Sequence, residues 1–362
     1  MKVLHVITTM DRGGAETQLI QLVKFQSDKG FEVEIRYLKG NGALANATPD
    51  IKISRVSGRL FFIQVFVLFL LIKRCKPDIV NAHLPRSEVV SAIVTRLCHG
   101  SLVVTKHNSE RFWPNGFSLV SKLLSSYVEK SACATICITR AVLDHLVSVG
   151  ESNNLNYFVV HYGIQCKNFE ISLKDSFRNS HNELDIICLA RLEPQKNLVA
   201  LIDLIPRVRD LHPKIRIFGA GSQESELSTQ INKKGLSREI VLCGLTNDAR
   251  SEMRKSKLLL LPSNYEGFGL VLLEALDEGC IVVATRIPAI MEVLGEDYPF
   301  LFDPQSRSEM ELRVRQALLA ESDWYIDYRE RTLHRFTLQE QFNKTEKIYR
   351  RCIQLQVGGY ES

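Results

Sequence analysis

Twice along its length the chain alternates short runs of β-branched and apolar residues with segments of helical periodicity, and that rhythm admits few folds. In the first half, Val3–Thr8 reads as a strand, Gly13-Gly14 as a turn, and Ala15–Lys29 as a helix with apolar positions at Leu19, Leu22, Val23 and Phe25. Further strands are expected at Phe31–Leu38, Asp78–Ala82, Leu102–Thr105 and Ala134–Ile138, and helices at Leu60–Lys73, Val89–Cys98 and Ala141–Val149. Strands separated by helices make βαβ units, and βαβ units make a parallel sheet.

Between Cys166 and Leu184 the pattern gives way to polar residues, which predicts a linker. The alternation then restarts. Strands are expected at Asp185–Ala190, Ile215–Phe218, Ile240–Cys243, Lys257–Leu261 and Ile281–Ala284, with helices at Leu198–Leu211, Glu224–Lys234, Asn247–Lys255, Gly269–Glu278 and Glu309–Ala320. The sequence therefore predicts an α/β protein of two Rossmann-like domains with parallel sheets. The first covers residues 1–170 and the second 171–337, and a last helix within 338–362 can pack back on the first. The length of 362 residues agrees, because one core rarely grows past roughly 250–300 residues. Ligands of open α/β sheets bind beyond the carboxyl ends of the strands, so the expected site is a cleft between two facing domains.

Composition narrows the class. With 45% hydrophobic and 24% charged residues, a disordered or low-complexity chain is excluded. The nine cysteines are scattered, with no Cys-x-x-Cys pair, so neither a disulfide framework nor a zinc site is indicated and a reducing cytoplasm is the expected compartment. Met1–Ile7 lacks the pattern of a secretory signal and reads as structure from the first residue.

The most apolar stretch, Phe61–Ile72, has Gln64 within it and falls short of the roughly 18 residues that a spanning helix needs, so no transmembrane segment is expected. It has two readings. It is a core helix of the first domain, or, with Lys73-Arg74-Cys75-Lys76 behind it, an amphipathic helix resting on an anionic bilayer. Residues 1–170 carry a net charge of +7 and residues 171–362 a net −2, so the basic surplus belongs to the first half. It suits either a solvated basic face or an anionic surface or substrate. No dense Lys/Arg cluster interleaves with aromatics, and nucleic acid is not an expected partner.

Three loops at expected strand ends carry the chemistry. After the first strand, Gly13-Gly14 opens a helix, which suits either a plain turn or the approach of an anion to free amides. Neither this loop nor Gly219-Ala220-Gly221 has the three-glycine spacing of a dinucleotide fingerprint. The strand Asp185–Ala190 runs into Arg191-Leu192-Glu193-Pro194-Gln195-Lys196, where two cations can converge on one diphosphate or simply face solvent. The third loop is Pro262-Ser263-Asn264-Tyr265-Glu266-Gly267-Phe268-Gly269-Leu270, followed by a helix that contains Glu274. Two carboxylates eight residues apart can accept hydrogen bonds from two sugars on either side of a diphosphate; otherwise Glu266 caps a helix and Glu274 faces solvent.

The run from Pro262 to Ala275 resembles the glutamate-x7-glutamate motif of the retaining glycosyltransferases of family 4, also called group 1, which have the GT-B fold. The resemblance extends over nearly the whole chain. Gly13-Gly14-Ala15-Glu16 is similar to that family's N-terminal glycine loop, Lys76-Pro77-Asp78-Ile79-Val80-Asn81-Ala82-His83 to its strand ending in histidine, and Arg191 and Lys196 to its diphosphate cations. The resemblance implies transfer of a sugar from a nucleotide-diphosphate sugar with retention at the anomeric carbon. Arg191, Lys196, the Gly13-Gly14 loop and the amides of Gly267, Phe268, Gly269 and Leu270 would hold the diphosphate. Glu274 would bind the ribose, Glu266 the transferred sugar, and His83 the donor sugar near the reacting centre. His107 and Glu292 are further candidates. The chain has no Asp-x-Asp motif, so no metal and no other cofactor is expected.

The sequence also departs from the family pattern. Arg286-Ile287-Pro288-Ala289-Ile290-Met291-Glu292 keeps a glutamate but lacks the usual glycine pair, Cys280 replaces a frequent proline, and His161-Tyr162-Gly163-Ile164 stands where asparagine-glycine is common. The expected acceptor is a lipid-linked saccharide of bacterial surface polysaccharide synthesis, O-antigen or capsule, reached in the cytoplasm or peripherally on the inner face of the plasma membrane. A nucleotide-sugar 2-epimerase and a saccharide-binding subunit without catalysis are the rival readings.

Overall fold

The computed structural model describes all residues except 110–111, 113–117, 153–155, 167–183, 321 and 359–362. The chain divides into two compact units, one formed by Met1–Gly163 with Thr337–Ser362 and the other by Ile164–Phe336. The first unit thus ends ahead of the boundary expected at residue 170, and it regains the chain for the last helix. The expected linker over 166–184 falls almost wholly within 167–183, outside the described residues.

The first unit holds seven strands: β1 (Lys2–Thr9), β2 (Glu32–Lys39), β3 (Ile53–Arg55), β4 (Ile79–His83), β5 (Leu102–Lys106), β6 (Ala134–Cys137) and β7 (Tyr157–Val159). They pair in the order β3-β2-β1-β4-β5-β6-β7, every pair parallel. Alternation along each strand sorts the core onto two faces. Leu4, Val6, Val80, Ala82 and Val104 face one way, with Leu68, Ile72, Val90 and Val94 packed on them. Val3, Ile79, Val103 and Ile136 face the other, where Ile348, Tyr349 and Cys352 of the helix Leu338–Gly358 cover them.

The second unit holds β8 (Leu184–Leu189), β9 (Pro213–Phe218), β10 (Ile240–Gly244), β11 (Leu258–Leu261), β12 (Ile281–Thr285) and β13 (Leu301–Phe302), in the order β10-β9-β8-β11-β12-β13 and all parallel. In each sheet the chain winds outward from a first strand, then crosses back to its other side. The strand order therefore reverses between β1 and β4 and between β8 and β11, and a crevice opens at the carboxyl ends of strands where the order reverses.

Two helix expectations change. The helix expected over Leu198–Leu211 is α-helical only over Val199–Leu204 and continues as 3-10 turns at Ile205–Arg207 and Arg209–Leu211, because Pro206 supplies no N–H for an α-helical bond. The helix Phe61–Cys75 fits both readings in part: Leu68 and Ile72 belong to the core with Val65, Val67 and Phe69 packed against it, while Phe62, Phe66 and Leu70 are 67%, 61% and 50% exposed. Among the described residues no helix is long and apolar enough to cross a membrane.

Candidate active site

In the second unit the reversal point gathers most of the expected donor residues. Arg191 and Lys196 follow β8, and Glu266 follows β11. Lys196 Nζ donates to Glu266 Oε1 at 2.7 Å, and Ser263 Oγ donates to the same oxygen at 2.7 Å. The pair is largely buried, with 13% and 8% of the two side chains exposed. The two loops are also joined through Gln195, a residue that motif reading passed over. Its backbone carbonyl accepts from Asn264 N at 2.8 Å, its Nε2 donates to the Tyr265 carbonyl at 2.9 Å, and its Oε1 accepts from the exposed Arg191 guanidinium at 3.0 Å. Arg191 is held at the site while its charge still faces solvent.

The Arg191 loop lies flat on a second loop that contains Gly219 and Gly221. A Cβ on Gly219 would stand 1.9 Å from the Ala190 carbonyl oxygen, and one on Gly221 would stand 2.4 Å from that of Leu192. Here glycine is required for close backbone approach, not for a dinucleotide fingerprint. Leu192 N donates to the Ala220 carbonyl at 3.0 Å, and Glu193 accepts from Ser222 N at 3.0 Å and Ser222 Oγ at 2.6 Å, which pins the loop.

The turn after β11 ends at Gly269, whose φ of 85° suits glycine at the start of the helix Leu270–Asp277. The opening amides of that helix lie outside its hydrogen-bond ladder and carry the positive end of its dipole. Phe268 contributes backbone only, since its ring is buried and packs edge-to-face on Phe336. Glu274 lies one turn before the helix end. Its half-buried carboxyl has no hydrogen-bond or ion-pair partner among the described residues, and burial pushes its pKa from 4.5 up to about 7, against the pull of Arg250. The far end of the helix is fixed by a buried cation that the sequence did not reveal: Arg329 donates to the Leu276 and Asp277 carbonyls, at 2.5 and 2.8 Å. Glu292 lies on the helix Pro288–Leu294, with its backbone carbonyl accepting from Arg335 at 3.3 Å.

In the first unit, Gly13 and Gly14 follow β1, and His83 ends β4. Gly14 opens the helix Gly14–Asp28, and the group placed at this helix start is the chain's own Glu16. Thr9 Oγ1 donates to Glu16 Oε1 at 2.8 Å, and a Cβ on Gly13 would meet Glu16 Oε2 at 2.3 Å. Glu16 thus lies against the loop whose amides were expected to meet an anion.

His83 also differs from expectation. It is 2% exposed, its Nε2 meets His5 Nδ1 at 3.1 Å, and its Nδ1 meets His107 Nε2 at 2.9 Å. Both ring nitrogens are occupied, so the direct hydrogen bond to a donor sugar does not fit this arrangement. His107 Nδ1 in turn is hydrogen-bonded to Tyr162. Leu84, directly after His83, holds φ 72° and ψ 148°, an outlier for a branched side chain that sharply redirects the backbone into the helix Pro85–Cys98. Among the described residues no group of three or more His, Cys, Asp or Glu could hold a metal ion.

Comparison with known proteins finds relatives over nearly the whole chain. The profile described as Glycosyltransferase Family 4 matches residues 12–167, and that described as Glycosyl transferases group 1 matches residues 170–332. An uncharacterized glycosyltransferase of Methanocaldococcus jannaschii is 27% identical over 237 residues, 61% of each chain. The phosphatidylinositol N-acetylglucosaminyltransferase gpi3 subunit of Schizosaccharomyces pombe is 26% identical over 308 residues, 78% of this chain and 65% of that one. The chain thus spans less than two thirds of the length of these two relatives. The crystal structure of Anabaena HepE in complex with UDP has the same fold, with a TM-score of 0.81 at 20% identity, covering 96% of this chain and 99% of that one. With two parallel α/β sheets of the GT-B kind and both profiles matched in order, the chain belongs to the group 1, or family 4, glycosyltransferases.

Proposed function

We propose that the protein transfers a sugar, with retention, from a nucleoside-diphosphate sugar to an acceptor hydroxyl. The observation that carries this reading is the convergence of Arg191, Lys196 and Glu266 at the reversal point between β8 and β11. Departure of a nucleoside diphosphate builds negative charge on the leaving oxygens. Fixed cations and helix amides stabilise that charge without reorganising, and interactions of this kind are usually the largest electrostatic contribution to catalysis. Arg191, Lys196 and the amides from Gly267 to Leu270 take that role, with no metal. Glu274, an acceptor without a partner, binds ribose hydroxyls, and Glu266 holds a hydroxyl of the transferred sugar. The leaving phosphate, rather than a protein base, takes the acceptor proton.

The acceptor side belongs to the first unit. Exposed Phe62, Phe66 and Leu70 lie on one helix with Lys73 and Arg74 in its last turn, a face suited to anionic lipid. A phosphatidylinositol-glycosylating relative agrees with a lipid-linked acceptor, and we assign the chain to surface polysaccharide synthesis at the inner face of the membrane.

The test is release of nucleoside diphosphate from a panel of sugar nucleotides, with and without a polyprenyl-diphosphate saccharide and with and without EDTA. Turnover that needs the acceptor and survives EDTA is expected. An isomerised sugar nucleotide without transfer would instead identify a 2-epimerase, and binding with no turnover of any donor would identify a saccharide-binding subunit.

A further inference from the structure

The second unit has an open cavity of about 450 Å³ that lies away from the loops after β8 and β11. One wall is a single face of the helix Ser322–Arg335, on which Trp324, Asp327, Tyr328 and Arg331 recur at helical spacing. The other wall is the loop from Leu294 to Pro299, which carries Glu296 and Asp297. That loop leads into β13, whose Leu301 pairs with Ala284 of β12, so Tyr298 stands level with the start of β12 and its hydroxyl donates to the Val282 carbonyl at 2.7 Å. Tyr325, on the same helix as Trp324, donates to the carbonyl of Cys280 just before β12. The cavity therefore opens at the amino edge of the second sheet. Arg191, Lys196 and Glu266 follow the carboxyl ends of β8 and β11, at the opposite edge.

Its floor is aromatic and held in place. Tyr328 stacks on Tyr298 with ring centroids 4.8 Å apart, Trp324 lies 6.0 Å from Tyr328 and 5.7 Å from Phe300, and the Tyr328 hydroxyl is engaged by the Leu294 carbonyl at 2.6 Å. The polar groups around these rings are unused. Among the described residues, the carboxylates of Glu296, Asp297 and Asp327 and the Trp324 indole N–H have no hydrogen-bond or ion-pair partner, and Arg331 donates only through Nε, to the Asp327 backbone carbonyl at 3.2 Å.

That mixture selects the ligand. The three carboxylates only accept, whereas the guanidinium and the indole only donate. A metal ion does not fit, because among the described residues no three acidic, His or Cys side chains converge closely enough to hold one. A basic peptide would satisfy the carboxylates, but it would meet Arg331 with like charge and leave the indole N–H unanswered. Hydroxyl groups answer both kinds, since each donates and accepts, and the apolar C–H face of a sugar ring can cover an aromatic face. The volume lies within the range of small-ligand sites.

We propose that this cavity is a second saccharide-binding site, which takes a short run of neutral sugar units at the edge of the sheet opposite the reacting loops. It goes beyond the transferase reading and needs no donor, because it holds a stretch of glycan remote from the bond being made.

Trp113 and Trp324 are the chain's two tryptophans, so Trp324 is the sole indole reporter in full-length Trp113→Phe. Titration of that protein with maltotriose, mannotriose and triacetylchitotriose should give, for at least one of them, a saturable fluorescence change with a Kd of about 1 mM or below. In the same background, Asp297→Ala with Asp327→Ala removes two exposed carboxylates and should weaken that binding about tenfold or more, with the melting temperature unchanged. Excess UDP should leave the affinity as it was. Absence of a response to all three sugars overturns the proposal, as does a response to hexalysine alone, competition by UDP, or undiminished affinity in the double variant. Binding is read without donor, so a chain that holds sugar here but turns over no sugar nucleotide would fail the transferase reading and leave this site standing.

Discussion

Lys196 and Glu266, seventy positions apart in sequence, share a 2.7 Å ion pair that ties the loop after β8 to the turn after β11. Removing one member of a largely buried pair leaves the other desolvated and unpaired. Lys196→Ala is therefore expected to lower turnover about 100-fold or more, the usual cost of one donor to a developing anion, and also to lower the melting temperature. Adding Glu266→Ala should cost less than the sum of the two single changes, which a double-mutant cycle on thermal stability measures.

Glu274 gives a pH dependence with a definite sign. Its folded pKa of about 7 lies above the ordinary 4.5, so folding favours the protonated acid, and this contribution is full below 4.5 and lost as pH rises through 7. Relative to wild type, Glu274→Gln should gain stability by roughly 3 kcal/mol between pH 4.5 and 8, at 1.36 kcal/mol per pKa unit. Donor affinity should move oppositely: ribose hydroxyls donate to the carboxylate, so calorimetry at pH 6 and 8 should find tighter binding at pH 8 for wild type and no change for Glu274→Gln.

At Gly219 the backbone leaves no room for a side chain. Gly219→Ala must push the Ala190 carbonyl, 1.9 Å from the new Cβ, and with it the loop that holds Arg191. A loss of about 2 kcal/mol or more in denaturant unfolding is expected, with weaker donor binding. Gly14→Ala meets nothing within 4 Å and serves as the control, with stability changed by less than about 0.5 kcal/mol.

The apolar face of the helix Phe61–Cys75 is open to solvent at Phe62 and Phe66. Phe62→Ser with Phe66→Ser should leave folding stability within about 1 kcal/mol, because exposed rings lose little on replacement. Binding to vesicles that contain phosphatidylglycerol should fall at least fivefold in a flotation assay, and high salt should weaken the remainder. Undiminished flotation would remove the membrane reading while leaving sugar transfer untouched.

What could be read from the sequence follows from how local each signal is. β4, β5, β11 and β12 are buried on both faces and are rich in Ile, Val and Leu, so they were visible. The edge strands β3, β7 and β13 are two or three residues long and offer no period to detect. Arg191, Lys196 and Glu266 were legible because each lies in a contiguous motif at a strand end. Gln195 and Arg329 were not, since their roles appear only when distant carbonyls arrive beside them. His5 looked like a strand residue among apolar neighbours. Its contact with His83 depends on the register that sets His5 against Asn81 and His83 against Thr105, which no single segment encodes.

The helix Leu338–Gly358 carries one more consequence, in the order in which the protein is made. Its Tyr349 accepts from Asn81 Nδ2 at 2.7 Å, and Ile348 and Cys352 close the face of the sheet that begins with Val3. On the ribosome the strands β1–β7 emerge first, yet their second face stays uncovered until more than 170 further residues have followed Gly163. The unit synthesised first is thus the last to complete its core, and nascent chains stalled before Thr337 should expose that apolar face to chaperones even when the second unit has already folded.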